Sequence, residues 1–509
     1  MRLGPTARAV MLAIGAACAY TIACPPHQSA WAAWLIPGLL LVPCRGLTPW
    51  RAVWVSLVFT LLMGIGVTGW AFHASLEYFA FSRVAAAAFV VGVWLVYGGI
   101  PFALLLGGYA RWGARLALPA RAIAAAWAWV AMELLRSTIF SGMPWELLSH
   151  TQFRALWLVQ IADLGGAYAV SFVMALTSVT IAELIADRRA LTGMALGRRL
   201  APVVAMLVAT LAYGRSAELR YGGAAPPETT RTLAIVQGNV PNVFRWQRAH
   251  MERTLATYVG LTESTRREHP DLVVWPENAV DFYLEREPML RQQMLRAAAL
   301  APGGLLVGSP RLVNAGEARN SAQLLRADGE IVAHYDKQRL VPFAESSVFP
   351  SRTAEAAEPT YRPGAAAEPL ETAAGRLGAM ICYEVVFPRL VRNLVRHGAQ
   401  VLVNLTNDSW LDAGDGAAPD QHFSMATFRA VETRRDLVRI VGSGASGFID
   451  AYGRVTATVP RNTAGALVGR VALRDELTPY VRFGDAWIAV LGVVVVIGAR
   501  LRRRDGMPT

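Results

Sequence analysis

A multi-pass α-helical membrane domain, then a soluble α/β domain, then one closing membrane helix is the fold class that this sequence predicts. Three observations carry it. Hydrophobic residues make up 54% of the 509 residues and charged ones 17%, with a mean hydropathy of +0.34, a membrane balance rather than a soluble one. Long apolar segments crowd the first 214 residues and return once near the end. Between them, residues 215–483 alternate short β-rich apolar runs with polar helical stretches, the pattern of an α/β domain.

The apolar segments run through residues 9–24, 30–43, 52–71, 84–110, 122–140, 157–184 and 200–214, with an eighth at 484–499. A spanning helix needs roughly 20 mostly apolar residues, so the first two and the last are short. Segment 84–110 is long enough to tilt or to include an interfacial part. The first segment ends in Thr21-Ile22-Ala23-Cys24, a weak lipoprotein-type cleavage site. The spans that follow make a retained helix the expectation.

Arginine positions give an orientation. One set of loops and ends holds Arg2 and Arg8, Arg45 and Arg51, Arg111, Arg115 and Arg121, Arg188, Arg189, Arg198 and Arg199, and Arg500, Arg502, Arg503 and Arg504. The alternate loops hold Arg83, Arg136 and Arg154. The positive-inside rule then places both termini in the cytoplasm. Seven spans (residues 1–214) put residues 215–483 outside, and residues 484–509 return the chain to a basic cytoplasmic tail. In a bacterium with two membranes, that is an inner-membrane protein with a periplasmic domain. The net charge of +12 thus belongs to membrane topology rather than to nucleic acid.

In the soluble domain, strand-like runs occur at 233–237, 272–275, 305–308, 377–382, 401–405, 437–441 and 447–449. Helix-like stretches occur at 248–268, 287–299, 388–397 and 421–434. The length is ample for one core. The Ala-, Glu- and Pro-rich stretch 351–370 reads as a loop, and no internal repeat is visible.

Of 49 Lys plus Arg residues, one is lysine, Lys337. Lysine offers a compact charge on a flexible stem, where arginine is a wide fork. A chain that uses arginine elsewhere keeps this ammonium for something arginine cannot do. Cysteine usage is similar. Cys18, Cys24 and Cys44 lie in apolar stretches near the start, and Cys382 is the only other. A lone cysteine cannot close an intradomain disulfide, which leaves a core thiol or a nucleophile. Its setting, Leu377-Gly378-Ala379-Met380-Ile381-Cys382-Tyr383-Glu384, puts the thiol at a strand tip, a usual place for a nucleophile.

Two further strand tips match it. Asp271-Leu272-Val273-Val274-Trp275-Pro276-Glu277 delivers Glu277 where proline ends strand pairing. Tyr335-Asp336-Lys337 delivers the lysine. Carboxylate, ammonium and thiol together suit thiol-based acyl transfer: the acid takes the thiol proton, the thiolate attacks a carbonyl, and the ammonium steadies the oxyanion.

Trp275-Pro276-Glu277, the Lys337 segment and Cys382-Tyr383-Glu384 resemble the Glu-Lys-Cys triad of the nitrilase, or carbon–nitrogen hydrolase, superfamily. With the membrane helices, the whole chain resembles the bacterial apolipoprotein N-acyltransferase family. Further segments carry the likeness: Val236-Gln237-Gly238-Asn239-Val240-Pro241 with Trp246; Arg339-Leu340-Val341-Pro342-Phe343 with Glu345; Asn404-Leu405-Thr406-Asn407-Asp408-Ser409-Trp410; Gln421-His422; Ser141-Gly142-Met143-Pro144-Trp145; and Gly165-Gly166-Ala167-Tyr168. Residues 411–419 and 441–446 depart from the family's usual stretches.

The resemblance implies a nitrilase-like αββα sandwich beside the membrane domain. It implies that Cys382 takes an acyl chain from a membrane phospholipid as a thioester. The free amine of a diacylglyceryl-modified N-terminal cysteine of an apolipoprotein then takes the acyl group as an amide. Glu277 is expected as base and acid, and Lys337 with a backbone N–H near Tyr383 as oxyanion donors. Glu345 is expected to orient Lys337 or the nucleophile, Tyr383 and Glu384 to support the cysteine, and Trp246 and Asn407 to contact substrate. His422 reads equally as a core hydrogen-bonding residue. Asn407-Asp408 and the loops 141–156 and 344–365 are candidates for a lid that keeps water from the thioester.

No metal-ligand spacing, phosphate-cradling glycine loop or cofactor motif is visible. A membrane-tethered amidase shares the triad, but eight spans are hard to justify for a soluble substrate. A transporter or receptor with a nitrilase-like binding module would tolerate loss of Glu277, Lys337 and Cys382. Its spans would also carry more than the isolated Glu133, Glu146 and Glu183.

Overall fold

The computed structural model describes residues 3–504 apart from 78, 188–192, 224–225, 227–228, 241–247, 281, 285, 315, 343–344, 346–359, 366–367, 413 and 415. Trp246 and most of the 344–365 loop therefore lie outside the described residues. The chain forms two compact units: Met1–Leu219 with Asp415–Ser424 and Phe483–Thr509, and Arg220–Gly414 with Met425–Arg482.

In the first unit, six helices among the described residues are long and apolar enough to cross a membrane: Pro5–Ala23, Pro49–Thr68, Arg83–Arg115, Leu118–Thr138, Ala167–Ala186 and Leu196–Tyr221. The second and last expected segments are shorter apolar helices, Ala30–Cys44 and Ala486–Ile497. Ala30–Cys44 contains two 3-10 stretches, Ala30–Leu35 and Val42–Cys44. The steeper 3-10 rise lets this segment reach about 27 Å, close to the ~30 Å hydrocarbon core. The expected 84–110 segment is one element with a π-helical turn at Leu95–Gly99. Pro101 has no N–H for the Tyr97 carbonyl, which loosens the ladder there.

The expected 157–184 segment is instead broken into Leu156–Val159, Ala162–Gly165 and Ala167–Ala186. The break is at Gly166, whose φ of +71° suits glycine. Beside it, a Cβ on Gly165 would come within 2.9 Å of Trp487 Nε1, and that indole donates to the Gly165 carbonyl at 3.0 Å. A bare glycine thus seats the last helix. One buried carboxylate of this unit, Glu183, is paired within it. Glu183 accepts from Tyr109 Oη and Arg121, both at 2.7 Å, and from Arg45.

In the second unit, a seven-stranded sheet has the order β13-β1-β2-β3-β4-β5 with β6 beside β4, and a six-stranded sheet the order β12-β11-β10-β9-β8-β7. The strands of the first sheet are β1 (Thr230–Gln237), β2 (Leu272–Val274), β3 (Leu305–Asn314), β4 (Glu317–Leu325), β5 (Ile331–Asp336), β6 (Thr360–Tyr361) and β13 (Gly465–Ala472). Those of the second are β7 (Leu370–Thr372), β8 (Gly375–Ile381), β9 (Val401–Thr406), β10 (Leu437–Val441), β11 (Ser446–Ile449) and β12 (Val455–Val459).

Each sheet has a parallel centre, β1-β2-β3 and β8-β9-β10, flanked by antiparallel strands. Helices make the crossovers that parallel pairing demands: Arg248–Ser264 and Pro288–Ala299 in the first sheet, Pro388–Arg396 and Ala417–Thr433 in the second. The topology thus repeats where the sequence shows no repeat. Leu233, Ile235, Leu272 and Val274 meet Leu377, Ala379, Ile381, Val403 and Leu405 between the sheets. Ala234, Val236, Val273 and Trp275 face the outer helices through Leu255, Leu290 and Met294. This is the expected αββα sandwich.

Candidate active site

Glu277, Lys337 and Cys382 follow β2, β5 and β8, and all three are at least 95% buried. The C-terminal ends of parallel strands are where open α/β sheets bind ligands.

Glu277 is held by its neighbours. Trp275 is fully buried, its N–H donates to the Leu306 carbonyl at 2.8 Å, and its indole donates to Thr262 Oγ1 at 3.0 Å. Pro276 then ends the ladder. Across from it, a Cβ on Gly308 would lie 2.3 Å from the Pro276 carbonyl and 2.5 Å from Glu277 Cα. Glycine at 308 is what lets β3 pass this close to Glu277.

Lys337 Nζ donates to Glu277 Oε1 at 3.0 Å and to Glu345 at 3.0 Å. Its own N–H donates to the Asn320 carbonyl at 2.8 Å, which carries the ladder one residue past β5. Burial disfavours the ammonium, but Glu277 and Glu345 outweigh it and hold its pKa well above the ordinary lysine value. Glu345 Oε2 also accepts the Val341 N–H at 2.8 Å, which fixes its approach to the lysine.

Sequence reasoning missed Asn320. Its Nδ2 donates to Glu277 Oε1 at 2.8 Å and to Glu345 Oε1 at 2.7 Å. The amide can face two carboxylates only with its N–H₂ end, so it spaces and orients both. A polar Asn inside a strand, where asparagine is depleted, was the available signal.

Cys382 sits at φ +51°, in the left-handed region, and opens a 3-10 helix, Cys382–Val386. A non-glycine residue there costs of order 1–3 kcal/mol, and such a turn presents a nucleophile beyond a strand end. Burial pushes the thiol well above its ordinary pKa. Glu277 raises it further, Lys337 lowers it, and Asp408 and Glu345 raise it. The balance leaves a neutral thiol at rest.

Glu384 staples the loops. It accepts the Ile381 N–H at 2.7 Å, the Gln338 N–H at 2.7 Å, the Arg339 N–H at 3.1 Å and Tyr335 Oη at 2.9 Å. The turn before the nucleophile and the turn after Lys337 thus share one carboxylate. Burial, against these donors, pushes its pKa up to about 7. Tyr383 packs edge-on against Phe387 with ring centroids 4.9 Å apart, and Arg339 lies over Phe387.

The remaining expected residues fall elsewhere. Asn407 is buried after β9, and its Oδ1 accepts from the Ser409 N–H at 3.2 Å and Oγ at 2.7 Å. Gln421 and His422 group with the first unit. The Gln421 amide accepts from Trp70 and Trp145 Nε1 at 3.2 and 2.8 Å and donates to the Val67 and Pro25 carbonyls at 2.8 and 3.2 Å. His422 stacks on Trp145. Trp145 of the Ser141–Trp145 segment is thereby tied to the start of helix Ala417–Thr433. Among the described residues, no group of His, Cys, Asp and Glu has the arrangement to hold a metal ion.

The carbon-nitrogen hydrolase family model matches residues 232–476 and the apolipoprotein N-acyltransferase N-terminal domain model residues 16–180. The apolipoprotein N-acyltransferase of Geobacter metallireducens is 36% identical over 74% of both chains. That of Azotobacter vinelandii is 33% identical over 97% of this chain and 95% of its own. Among solved structures, an amidase of Nesterenkonia sp. AN1 is 19% identical, with a TM-score of 0.41 over 53% of this chain and 99% of its own. The chain belongs to the apolipoprotein N-acyltransferase family.

Proposed function

We propose that this protein N-acylates the diacylglyceryl-modified N-terminal cysteine of apolipoproteins, with a membrane phospholipid as acyl donor and Cys382 as the covalent carrier. The observation that carries this reading is the buried cluster in which Lys337 Nζ is held by Glu277 and Glu345 at 3.0 Å, with Cys382 on its strained turn within reach of the same charges.

In the first half-reaction, Glu277 takes the Cys382 proton as sulfur attacks the ester carbonyl. The oxyanion meets Lys337 Nζ and the Tyr383 N–H. On collapse, Glu277 returns the proton to the departing glycerol oxygen, leaving a thioester and a lysophospholipid. In the second, the amine of the lipid-modified cysteine attacks the thioester and gives its proton to Glu277. Sulfur leaves, takes that proton, and an amide remains. Both substrates are lipid-anchored, so a membrane-tethered enzyme meets them at high effective concentration.

The arginine asymmetry supports an inner-membrane protein with cytoplasmic termini and the second unit in the periplasm. The lengths of Ala30–Cys44 and of Ala486–Arg504, about 28 Å with arginines at its end, support eight spans. A reporter active only in the periplasm should be active when fused after Ser216 and inactive after Arg504. The opposite pair would overturn the topology.

Incubated with phospholipid, the purified protein should gain the mass of one acyl chain, lost to hydroxylamine. A peptide with a free diacylglyceryl-cysteine amine should discharge it, and an amine-blocked peptide should not. A Cys382→Ala protein that still acylates the peptide would overturn the mechanism. An adduct that water clears as fast as the peptide does would favour a hydrolase.

A further inference from the structure

A fully buried arginine lies in the second sheet, where a parallel centre should be apolar. Register places Met380, Asn404 and Arg439 opposite one another across β8, β9 and β10. Their neighbours Ala379, Ile381, Val403, Leu405, Val438 and Ile440 fill the core between the sheets. Strand alternation therefore turns Met380, Asn404 and Arg439 to the opposite, helix-covered face. Asn404 and Arg439 are both 0% exposed.

The row ends at the nucleophile. Arg439 Nη2 donates to Asp408 Oδ2 at 2.6 Å, and Nη1 donates to Asn404 Oδ1. Asn404 Nδ2 in turn donates to the Cys382 carbonyl at 3.3 Å and to the Met380 carbonyl at 3.4 Å. A planar trans peptide points its N–H opposite to its carbonyl. Holding the Cys382 carbonyl therefore aims the Tyr383 N–H, the backbone oxyanion donor of the proposed mechanism.

We propose that Arg439 is a positioning residue for the nucleophile: it holds the Asn404 amide that fixes the Cys382–Tyr383 peptide, and its charge offsets the Asp408 carboxylate that acts on the thiol. This rests on the reading of Cys382 as nucleophile. An ion pair that merely filled the layer beneath the helices would not need to end on the Cys382 carbonyl. After burial, the charges that bear most on the thiol are those of Glu277 after β2, Lys337 after β5, Asp408 after β9 and Glu345, with Glu384 on its own turn. Helix Pro388–Arg396, packed on the same turn, buries Pro388, Leu390, Val391, Leu394 and Val395 and lays its Arg392 guanidinium over Tyr480, while Arg429 of helix Ala417–Thr433, paired with Glu432 at 2.9 Å, donates to the Val386 carbonyl at 3.4 Å. Asp408 is therefore the carboxylate that Arg439 neutralises. Without that neutralisation, Asp408 opposes ionisation of the Cys382 thiol.

The test is the pH profile of acyl-enzyme formation by full-length protein in detergent with phosphatidylethanolamine, read by intact mass. The acid limb reports the ionisations that attack by the thiol needs. Arg439→Met should move its midpoint up by about one pH unit, and Asp408→Asn should move it down. In the double variant the midpoint should return close to wild type. Its plateau rate should stay roughly tenfold or more below wild type, because Asn404 is still released. A purely structural ion pair would lower the rate in both single variants without opposed shifts. Unmoved midpoints, or shifts of the same sign, would overturn the proposal. If Arg439→Met does not fold, the downward shift of Asp408→Asn decides by itself. A wild-type protein that forms no adduct would instead remove the nucleophile reading on which all this rests.

Discussion

Replacing Lys337 by arginine keeps the charge and should still abolish acyl transfer. The ammonium has three N–H donors. Two are spent on Glu277 and Glu345, each at 3.0 Å, which leaves one for the oxyanion. A guanidinium has more donors, but they lie in one plane. Once that plane meets the two carboxylates, no N–H points out of it towards a third oxygen. The site is also closed, with Lys337 1% exposed, so the larger fork must displace Asn320 or Glu345. Loss of one oxyanion donor raises the barrier by about 3–4 kcal/mol, or roughly 10²–10³ in rate. The positive charge still answers both carboxylates, so the fold should survive. The assay is a time course of thioester formation by intact mass, with thermal unfolding in the same detergent alongside. An Arg variant that acylates within a few-fold of wild type would refute the assignment of Lys337 as oxyanion donor.

Three other outcomes follow from the same geometry. Asn320→Leu removes the amide between Glu277 and Glu345, where hydrogen bonds to charged groups are worth about 1.5–3 kcal/mol each; thioester formation should fall about tenfold or more, and an unchanged rate would exclude a positioning role. Gly308→Ala drives a methyl into the Pro276 carbonyl and Glu277 Cα, at 2.3 and 2.5 Å; acylation should drop at least as far as in Asn320→Leu, and near-normal turnover would show that the close approach is dispensable. The Lys337 pKa is raised above its unfolded value, so the charged donor and its contribution to stability are fully present below the ordinary lysine pKa, about 10.4, and are lost only as pH rises through the higher folded value. Acylation should therefore show no alkaline decline below about pH 10; a decline centred near pH 8 or 9 would contradict it.

The three candidate side chains stand out in the sequence because each combines a rare residue type with a strand end: one lysine in the chain, one cysteine after residue 44, and a glutamate behind a proline. Local chemistry and periodicity also gave the membrane character and the α/β alternation, since both are set by which residues must avoid water and at what spacing. Tertiary structure alone decided the rest. Asn320 lies on β4 and Glu277 beyond β2, and only the sheet order brings that amide to both carboxylates. Arg439 reads as one of many arginines until the register of β8, β9 and β10 aligns it with Asn404. Gly166 looks like an ordinary helix glycine, yet its positive φ breaks the segment expected as one span. Residues 421–424 read as the start of a soluble-domain helix but group with the membrane unit, where the Gln421 amide makes four hydrogen bonds. Composition and period report how each residue meets solvent. They carry no information on which distant strand or helix end it meets, and that is where the hydrogen bonds of this site are made.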